Sequence, residues 1–413
     1  MGSSMEPRRV AEIMLSWLGL DLVSCAELQT LWAGYGHVCA IQARRAREDG
    51  GNGTPRPPAA GREEEGTFHL VLKLISPPAR HGDEGHLRKM LSYEVEQFFY
   101  DRVAPTLGDD VAVAACLAST WGMRERAAAD GLADLTATVL SDLRPEFPVA
   151  GGERAVLTPR QVHASLRWLA RFHGASWRWL PGDLGTFLLP PLEEAQRRRR
   201  RGGRPSGDRG LWLNGGYTYL ATRRREYASL AEDGGSEWSA AFCTPARGSW
   251  GSVAEQVAGF LTPSGRPYET YIHGDVKSEN LFSTTAGDRV AFFDFQYAGL
   301  GLGVCDLAKL FTCSVPLDML TGAAGAMPHE LPMDRGERGL LERYRDILLS
   351  RRPEGSRFEY AWDDFCRHWE AALVDWCRFQ ASWGFWGNTE WLQARARSIL
   401  KDQGWRDWLQ RQA

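Results

Sequence analysis

The stretch from Tyr271 to Asp306, YIHGDVKSENLFSTTAGDRVAFFDFQYAGLGLGVCD, holds polar residues whose types and spacing suit phosphate chemistry. His273, Asp275 and Asn280 stand in the order H-x-D-x-x-x-x-N, and Asp294 comes later inside F-F-D-F-Q. Moving a phosphoryl group from ATP to an alcohol needs a carboxylate beside the acceptor hydroxyl, a role Asp275 can fill. It also needs oxygen ligands that fix Mg²⁺ against the phosphates, which Asn280 and Asp294 can supply. Little more is asked of the protein there, because positioning and charge compensation carry most of such catalysis. Lys277, two residues after Asp275, either approaches the γ-phosphate or faces solvent.

These residues must be held by rigid neighbours. Residues 280–282 and 289–293 read as two short strands around a turn at 283–288, so Asp275, Asn280 and Asp294 fall on loops flanking a hairpin. Far upstream, residues 28–40 (LQTLWAGYGHVCA) place Gly34 and Gly36 between apolar runs in a strand-turn-strand pattern. Such a turn lets backbone N–H groups approach a triphosphate, although a plain hairpin has the same string. Residues 67–75 (TFHLVLKLI) form a strand whose one lysine, Lys73, must snorkel or find an anion. The helix expected over 87–103 offers two partners, Glu94 and Glu96, on different faces. Glu96 is preferred, since Phe99 and Tyr100 lie three and four residues on and anchor its face to the core.

Two strand-like runs, 111–119 and 135–140, come next, and the second leads to Ser141 and Asp142. This resembles a hinge between lobes, where backbone amides can meet adenine. Thr158 as N-cap and Pro159 at the first helical position open a long amphipathic helix over 160–177. Further helices are expected at 10–20, 217–230 and 252–261. Asp306 is expected to cap the next helix and to brace the catalytic loop. Eight tryptophans between 362 and 408 read mainly as core. A few of them, with Asp363, Asp364, Asp375 and Glu390, can roof an apolar pocket beside Asp275.

Residues 44–66 (RRAREDGGNGTPRPPAAGREEEG) are almost without apolar side chains and read as a flexible insertion between strands. The five arginines Arg197 to Arg201 admit a nucleic-acid or nuclear-localisation patch, or a solvated helix end. The second fits better, because Glu193 and Glu194 precede them and the chain of 413 residues has a net charge of −3. That charge speaks against a whole-domain nucleic-acid binder. The apolar runs are too short to span a bilayer, and MGSSMEPRRVAE has neither a signal-peptide core nor, with Glu6, the myristoylation pattern. Eight cysteines lie singly, without C-x-x-C, as expected of reduced thiols in the cytoplasm.

With the Gly turn, lysine, glutamate, HGD-x-x-x-x-N and DFQ in order, the chain resembles the small-molecule kinases of the protein-kinase-like fold. That group includes aminoglycoside phosphotransferases, choline kinases and ecdysteroid-kinase-like proteins. The strings LWAGYGHV, SYEVEQFFY, LARFHGASW, YIHGDVKSEN, FFDFQYAGLGLGVCDLAKL and DWCRFQASWGFWGN carry the likeness over nearly the whole chain. It implies an α+β, bilobal fold: a small antiparallel-sheet lobe with one main helix over 1–142, and a larger, mostly helical catalytic and substrate lobe over 143–413. It also implies ATP and Mg²⁺ as cofactors, Asp275 as base with Lys277 beside it, and Asn280 and Asp294 as metal ligands. Lys73 with Glu96 would orient the phosphates, Gly34 and Gly36 would cover the nucleotide, and Ser141 and Asp142 would lie at the adenine. The expected substrate is a small-molecule hydroxyl, with no nucleic acid, membrane or obligatory protein partner. DFQ in place of DFG, Gly274 in place of Arg, and the lack of A-P-E set the chain apart from protein kinases. The alternative is a pseudokinase-type module that binds a nucleotide or ligand without catalysis.

Overall fold

A computed structural model of the chain describes residues 5–46, 63–64, 66–77, 83–200, 210–245, 251–322, 326–356 and 358–412. Most of the 44–66 insertion, and Arg201, lie outside the described residues. The N-terminal part is an antiparallel sheet built from β1 (Leu20–Thr30), β2 (Gly36–Arg45), β3 (Glu63–Glu64), β4 (Thr67–Ile75), β5 (Cys116–Ser119) and β6 (Thr136–Ser141). Its order is β1-β2-β4-β6-β5, with β3 on the start of β4. Alternation along β4 decides what faces where. Phe68, Leu70, Leu72 and Leu74 are buried in one core with Val10, Met14 and Leu15, and the period of two sends Lys73 to the opposite face.

Helix α1 (Pro7–Ser16) covers that core, and the chain then turns at Gly19, whose φ is 67°. It therefore stops short of the expected 10–20, and β1 begins where the helix was to end. Helix α2 (Glu84–Phe98) starts one turn earlier than the spacing suggests, because Asp83 caps it by accepting from His86 N–H at 2.7 Å. It runs on as a wider turn through Phe99–Val103. The strand expected over 111–119 shrinks to β5. Upstream of it, backbone groups are satisfied by side chains instead of a ladder: Trp168 donates to Ala112 O at 2.8 Å, and Ala115 N–H donates to Ser141 Oγ at 2.9 Å.

The C-terminal part is mostly helical. After α3 (Arg124–Ala129) and the edge strand β7 (Val149–Ala150), α4 (Pro159–Ser176) begins at the expected cap, with Thr158 and Gln161 forming a reciprocal capping box. There follow α5 (Pro191–Arg200), α6 (Arg224–Glu232), α7 (Glu237–Cys243) and α8 (Val253–Leu261). Residues 217–223 do not join the expected helix: Leu220–Thr222 form a single 3-10 turn, and Thr222 Oγ1 and Arg223 Nε both turn back to Tyr217 O. The predicted hairpin forms from β9 (Leu281–Ser283) and β10 (Val290–Phe292), while β8 (Glu269–Ile272) pairs with β11 (Gly299–Leu302). Helices α9 (Val304–Cys313), α10 (Leu317–Leu320), α11 (Arg335–Leu349), α12 (Trp362–Trp383), α13 (Thr389–Lys401) and α14 (Gln403–Gln410) complete the chain. Among the described residues, no helix is long and apolar enough to cross a membrane. Trp369, Trp391 and Trp405 are fully enclosed, as a core role requires, whereas Trp383 is 57% exposed.

One buried histidine in this part ties stability to pH. His368 Nδ1 meets Tyr360 Oη at 2.6 Å, and burial, then the charge of Arg266, pushes its pKa down to about 3. Its folded pKa lies below its unfolded value, so the unfolded chain takes up the proton first. Stability is then lost as pH falls below the ordinary histidine range, by about 1.4 kcal/mol per pH unit. Urea midpoints at pH 7.5, 6 and 5 should fall along that slope. His368→Gln should flatten it, and an unchanged slope would assign the acid sensitivity elsewhere.

Candidate active site

Three separate elements converge on one cation. Lys73 Nζ on β4 lies 2.6 Å from Glu96 Oε2 on α2 and 3.1 Å from Asp294 Oδ1 on the loop after β10. Burial works against charge on all three. For Lys73 the two carboxylates outweigh it and raise the pKa; for Asp294 the lysine outweighs it and lowers the pKa. Glu96, the most enclosed of them, is pushed up to about 7 by burial despite its lysine. Glu96 is thus the partner expected. Glu94, two residues away on another face, is held by Arg198 of α5 at 2.9 Å.

The same contact accounts for part of the arginine run, while Arg199 and Arg200 are exposed. Arg198 also reaches Glu194 at 2.9 Å and Arg197 reaches it at 2.6 Å, so these side chains fasten α5 to itself and to α2. Glu96→Gln should raise the KM for MgATP and lower kcat/KM by on the order of tenfold or more, since it removes a buried charged partner of Lys73. Glu94→Gln should change kcat/KM by less than about threefold, because it touches only a partly exposed pair. Equal effects of the two would dissociate the Lys73–Glu96 pair from nucleotide handling.

Stacking sets the distance between helix and loop. Phe295, directly after Asp294, lies flat on Phe99, the first residue beyond α2, with centroids 3.7 Å apart, and it also meets Trp168, Phe172 and His273. Gln296 explains the third letter of DFQ. Its Nε2 donates to Asp294 Oδ1 at 2.6 Å, and its Oε1 accepts from Ser92 Oγ on α2 at 3.2 Å. Asp294 itself is left-handed, with φ at 65°, a conformation that costs a non-glycine residue energy and that this web of contacts over-determines.

The loop bearing Asp275 hangs from a buried carboxylate. Asp306 is 0% exposed and accepts from His273 N–H at 2.7 Å, Gly274 N–H at 2.9 Å and His173 Nε2 at 3.1 Å. The bracing role is therefore present. The capping role is not, because Asp306 lies inside α9, whose N-cap is Gly303. His273 Nε2–H donates to Phe293 O at 2.9 Å, which leaves Nδ1 to accept from Asp275 N–H at 3.2 Å. The residue between them has to be glycine: Gly274 has φ of 84°, and a Cβ there would collide with Tyr297 O. An arginine, as in protein kinases, has no room.

Asn280 Nδ2 donates to Asp275 O at 2.8 Å and to Asp275 Oδ2 at 2.9 Å, which holds the carboxylate in place. Among the described residues the amide oxygen of Asn280 has no hydrogen-bond partner. Lys277 Nζ stands 3.5 Å from Asp275 Oδ2 and 3.3 Å from Glu279 Oε2, so it faces the site instead of solvent alone. Among the described residues no three His, Cys, Asp or Glu form a ready metal cage. The available donors, one carboxylate and one amide oxygen, fit Mg²⁺, which keeps several waters and arrives with substrate phosphates.

At the two expected nucleotide contacts several backbone donors meet protein partners. At the Gly turn, Gly34 N–H is already spent on Leu31 O at 2.9 Å, and Gly36 is required by packing, since a Cβ there would run into Leu74 O. At the hinge, Ser141 N–H donates to Ala115 O at 2.9 Å and Asp142 N–H to His69 O at 3.3 Å, while the Asp142 carboxylate holds Arg144. The N–H groups of Ser141 and Asp142 are thus bonded to neighbouring strands. The acidic roof is also absent from its expected place. Asp363 and Asp364 are exposed on the first turn of α12, about 22 Å along the axis from Phe379, Glu390 is exposed on α13, and Asp375 is taken by Arg378 at 2.7 Å.

The profile described as Phosphotransferase enzyme family matches residues 126–340, more than half of the chain, and this span contains the Asp275–Asn280–Asp294 arrangement. The chain belongs to that family. No curated protein matches it significantly. Among solved structures, it is similar to a macrolide 2'-phosphotransferase from Brachybacterium faecium, at 13% identity and a TM-score of 0.39, covering 98% of this chain and 96% of the other. An ethanolamine kinase from Plasmodium vivax has 10% identity and a TM-score of 0.40, covering 94% and 84%. A choline kinase from Streptococcus pneumoniae has 10% identity and a TM-score of 0.38, covering 97% and 98%. Family membership agrees with the α+β, kinase-like architecture of the chain.

Several working residues escape a reading of the sequence. His173 and the Arg198–Glu94 clamp gave no signal, because each acts on a residue far away in the chain, and the Gln of DFQ was visible while its bond to Ser92 was not. Phe295 is different: an aromatic directly after Asp294 was visible, and only its stacking partner was not.

Proposed function

We propose that this phosphotransferase moves the γ-phosphate of ATP to a hydroxyl group of a small molecule. The observation that carries the reading is the meeting of Lys73, Glu96 and Asp294 from three elements, next to an Asp275 held by Asn280. Residues 1–142 would form the nucleotide lobe and residues 143–413 the catalytic and substrate lobe. Asp275 would take the proton of the acceptor hydroxyl, and Lys277, kept charged by Asp275 and Glu279 against its burial, would neutralise charge on the transferring group. Asp294 and the amide oxygen of Asn280 would hold Mg²⁺, which compensates phosphate charge when bound.

The chain beyond Asp294 favours a small acceptor. A short turn, β11 and α9 succeed one another directly, which leaves no segment to receive an extended peptide. The test is ADP release by the purified chain against hydroxylated small molecules, with casein and a peptide library alongside. Transfer to small molecules is expected. Robust transfer to casein, abolished by Asp275→Asn, would overturn the assignment.

A further inference from the structure

Beside Asp275 the chain builds an aromatic shelf. Trp376, Phe379 and Trp383 lie along one face of α12, stacked at 5.4 and 5.9 Å, and Tyr217 meets Phe379 edge-on at 6.1 Å and Tyr297 at 4.6 Å. Both tyrosines are near enough to Asp275 that its charge, after burial, raises their phenol pKa. Two cations flank this shelf, and the catalytic roles assigned to Asp275, Lys277, Asn280 and Asp294 do not use them.

Lys309, at the inner end, is 5% exposed. Its Nζ lies 5.9 Å from the Trp376 ring centre and 3.3 Å from where a Cβ on Gly216 would stand, beside Gly274 O. It makes no hydrogen bond or ion pair among the described residues. The neighbouring carboxylates are already committed: Asp306 to the catalytic loop and His173, Asp375 to Arg378. At the outer end Arg223, also 5% exposed, lies over the rings of Trp383, Tyr217 and Phe379 at 4.9, 5.4 and 5.6 Å. Its Nε donates to Tyr217 O and its Nη1 to Glu226, which leaves Nη2 without a bond among the described residues. Arg88 of α2 adds a third positive charge close by; burial and then that charge lower the pKa of Arg223. Arg88 has only Glu84 at 4.0 Å, and its buried Nε lacks a hydrogen-bond partner among the described residues.

The charge of Lys309 acts on the buried Asp306 carboxylate, but its ammonium has no hydrogen-bond acceptor among the described residues, a cost recovered when an anion arrives. An acceptor carrying an ammonium group would meet like charge here from Lys309, Arg223 and Arg88. We infer that the acceptor of the proposed transfer carries an anionic group, a carboxylate or a phosphate monoester, which Lys309 holds while its hydroxyl faces Asp275. This assignment rests on the phosphotransferase reading and narrows its substrate class.

The test uses the full chain and matched acceptors that share a hydroxylated skeleton and differ in one group: carboxylate, phosphate monoester, uncharged amide or amine. One anionic arm should exceed the amide in kcat/KM by on the order of tenfold or more, and which arm does so identifies the anion. Lys309→Met should raise the KM for that acceptor and reduce its advantage over the amide, and Lys309→Gln provides a second, polar replacement. Amide or amine acceptors that match or exceed the anionic ones would overturn the inference and leave the phosphotransferase reading standing. So would undiminished discrimination in both Lys309 variants, or MgATP binding with no transfer to any anionic member. Absence of MgATP binding by calorimetry would instead remove the underlying reading, and this inference with it.

Discussion

Asp275→Asn should give a folded protein that binds MgATP yet turns over on the order of 10²–10⁴ times more slowly. The substitution is isosteric, and the new amide oxygen can still accept the bond that Asn280 Nδ2 makes to Asp275 Oδ2 at 2.9 Å. The loop should not move, because its anchor is the backbone of His273 and Gly274 on Asp306, not the Asp275 side chain. The loss is confined to the one carboxylate able to take a proton beside the acceptor. Melting temperature and MgATP calorimetry serve as controls against kcat. Turnover within a few-fold of the parent chain would remove Asp275 from the chemistry.

A second large effect is expected at the metal loop. Asp294→Asn should abolish the gain in nucleotide affinity that Mg²⁺ confers and reduce turnover by on the order of 10²–10³. Asn is the informative replacement, since it tolerates the left-handed φ of 65° that would penalise alanine. The variant keeps the stack of Phe295 on Phe99 while it removes the charge that Lys73 meets at 3.1 Å. Calorimetry with ATP, with and without Mg²⁺, separates the two contributions. Unchanged Mg²⁺ dependence would mean that the F-F-D-F-Q match has no bearing on metal.

The choice between Glu94 and Glu96 shows how far local pattern reaches. The apolar pair Phe99–Tyr100 marked the face of α2 that points inward, so Glu96 could be picked from periodicity. That Glu94 is engaged by Arg198 could not, because the two residues are brought together only by the docking of α5 on α2. The acidic roof failed for a related reason. Helix α12 carries its carboxylates at the proper composition but at the far end or in local pairs, and composition has no information about distance along an axis.

The features legible in the chain alone are local ones: the alternation of β4 that sets Lys73 apart from the core, the Thr158–Pro159 helix start, the β9–β10 hairpin and the motif spacing of Asp275, Asn280 and Asp294. Each arises from side-chain period, capping or turn chemistry within a few residues. Packing was needed to reveal that the amides of Gly34, Ser141 and Asp142 are already bonded, and that Asp306 holds the loop bearing Asp275 from inside α9. Packing also placed Lys309 and Arg223, unmarked in the sequence, along one aromatic shelf. A backbone group's partner and a buried charge's counterion are fixed by residues distant in the chain. They become readable only once the fold has chosen which surfaces meet.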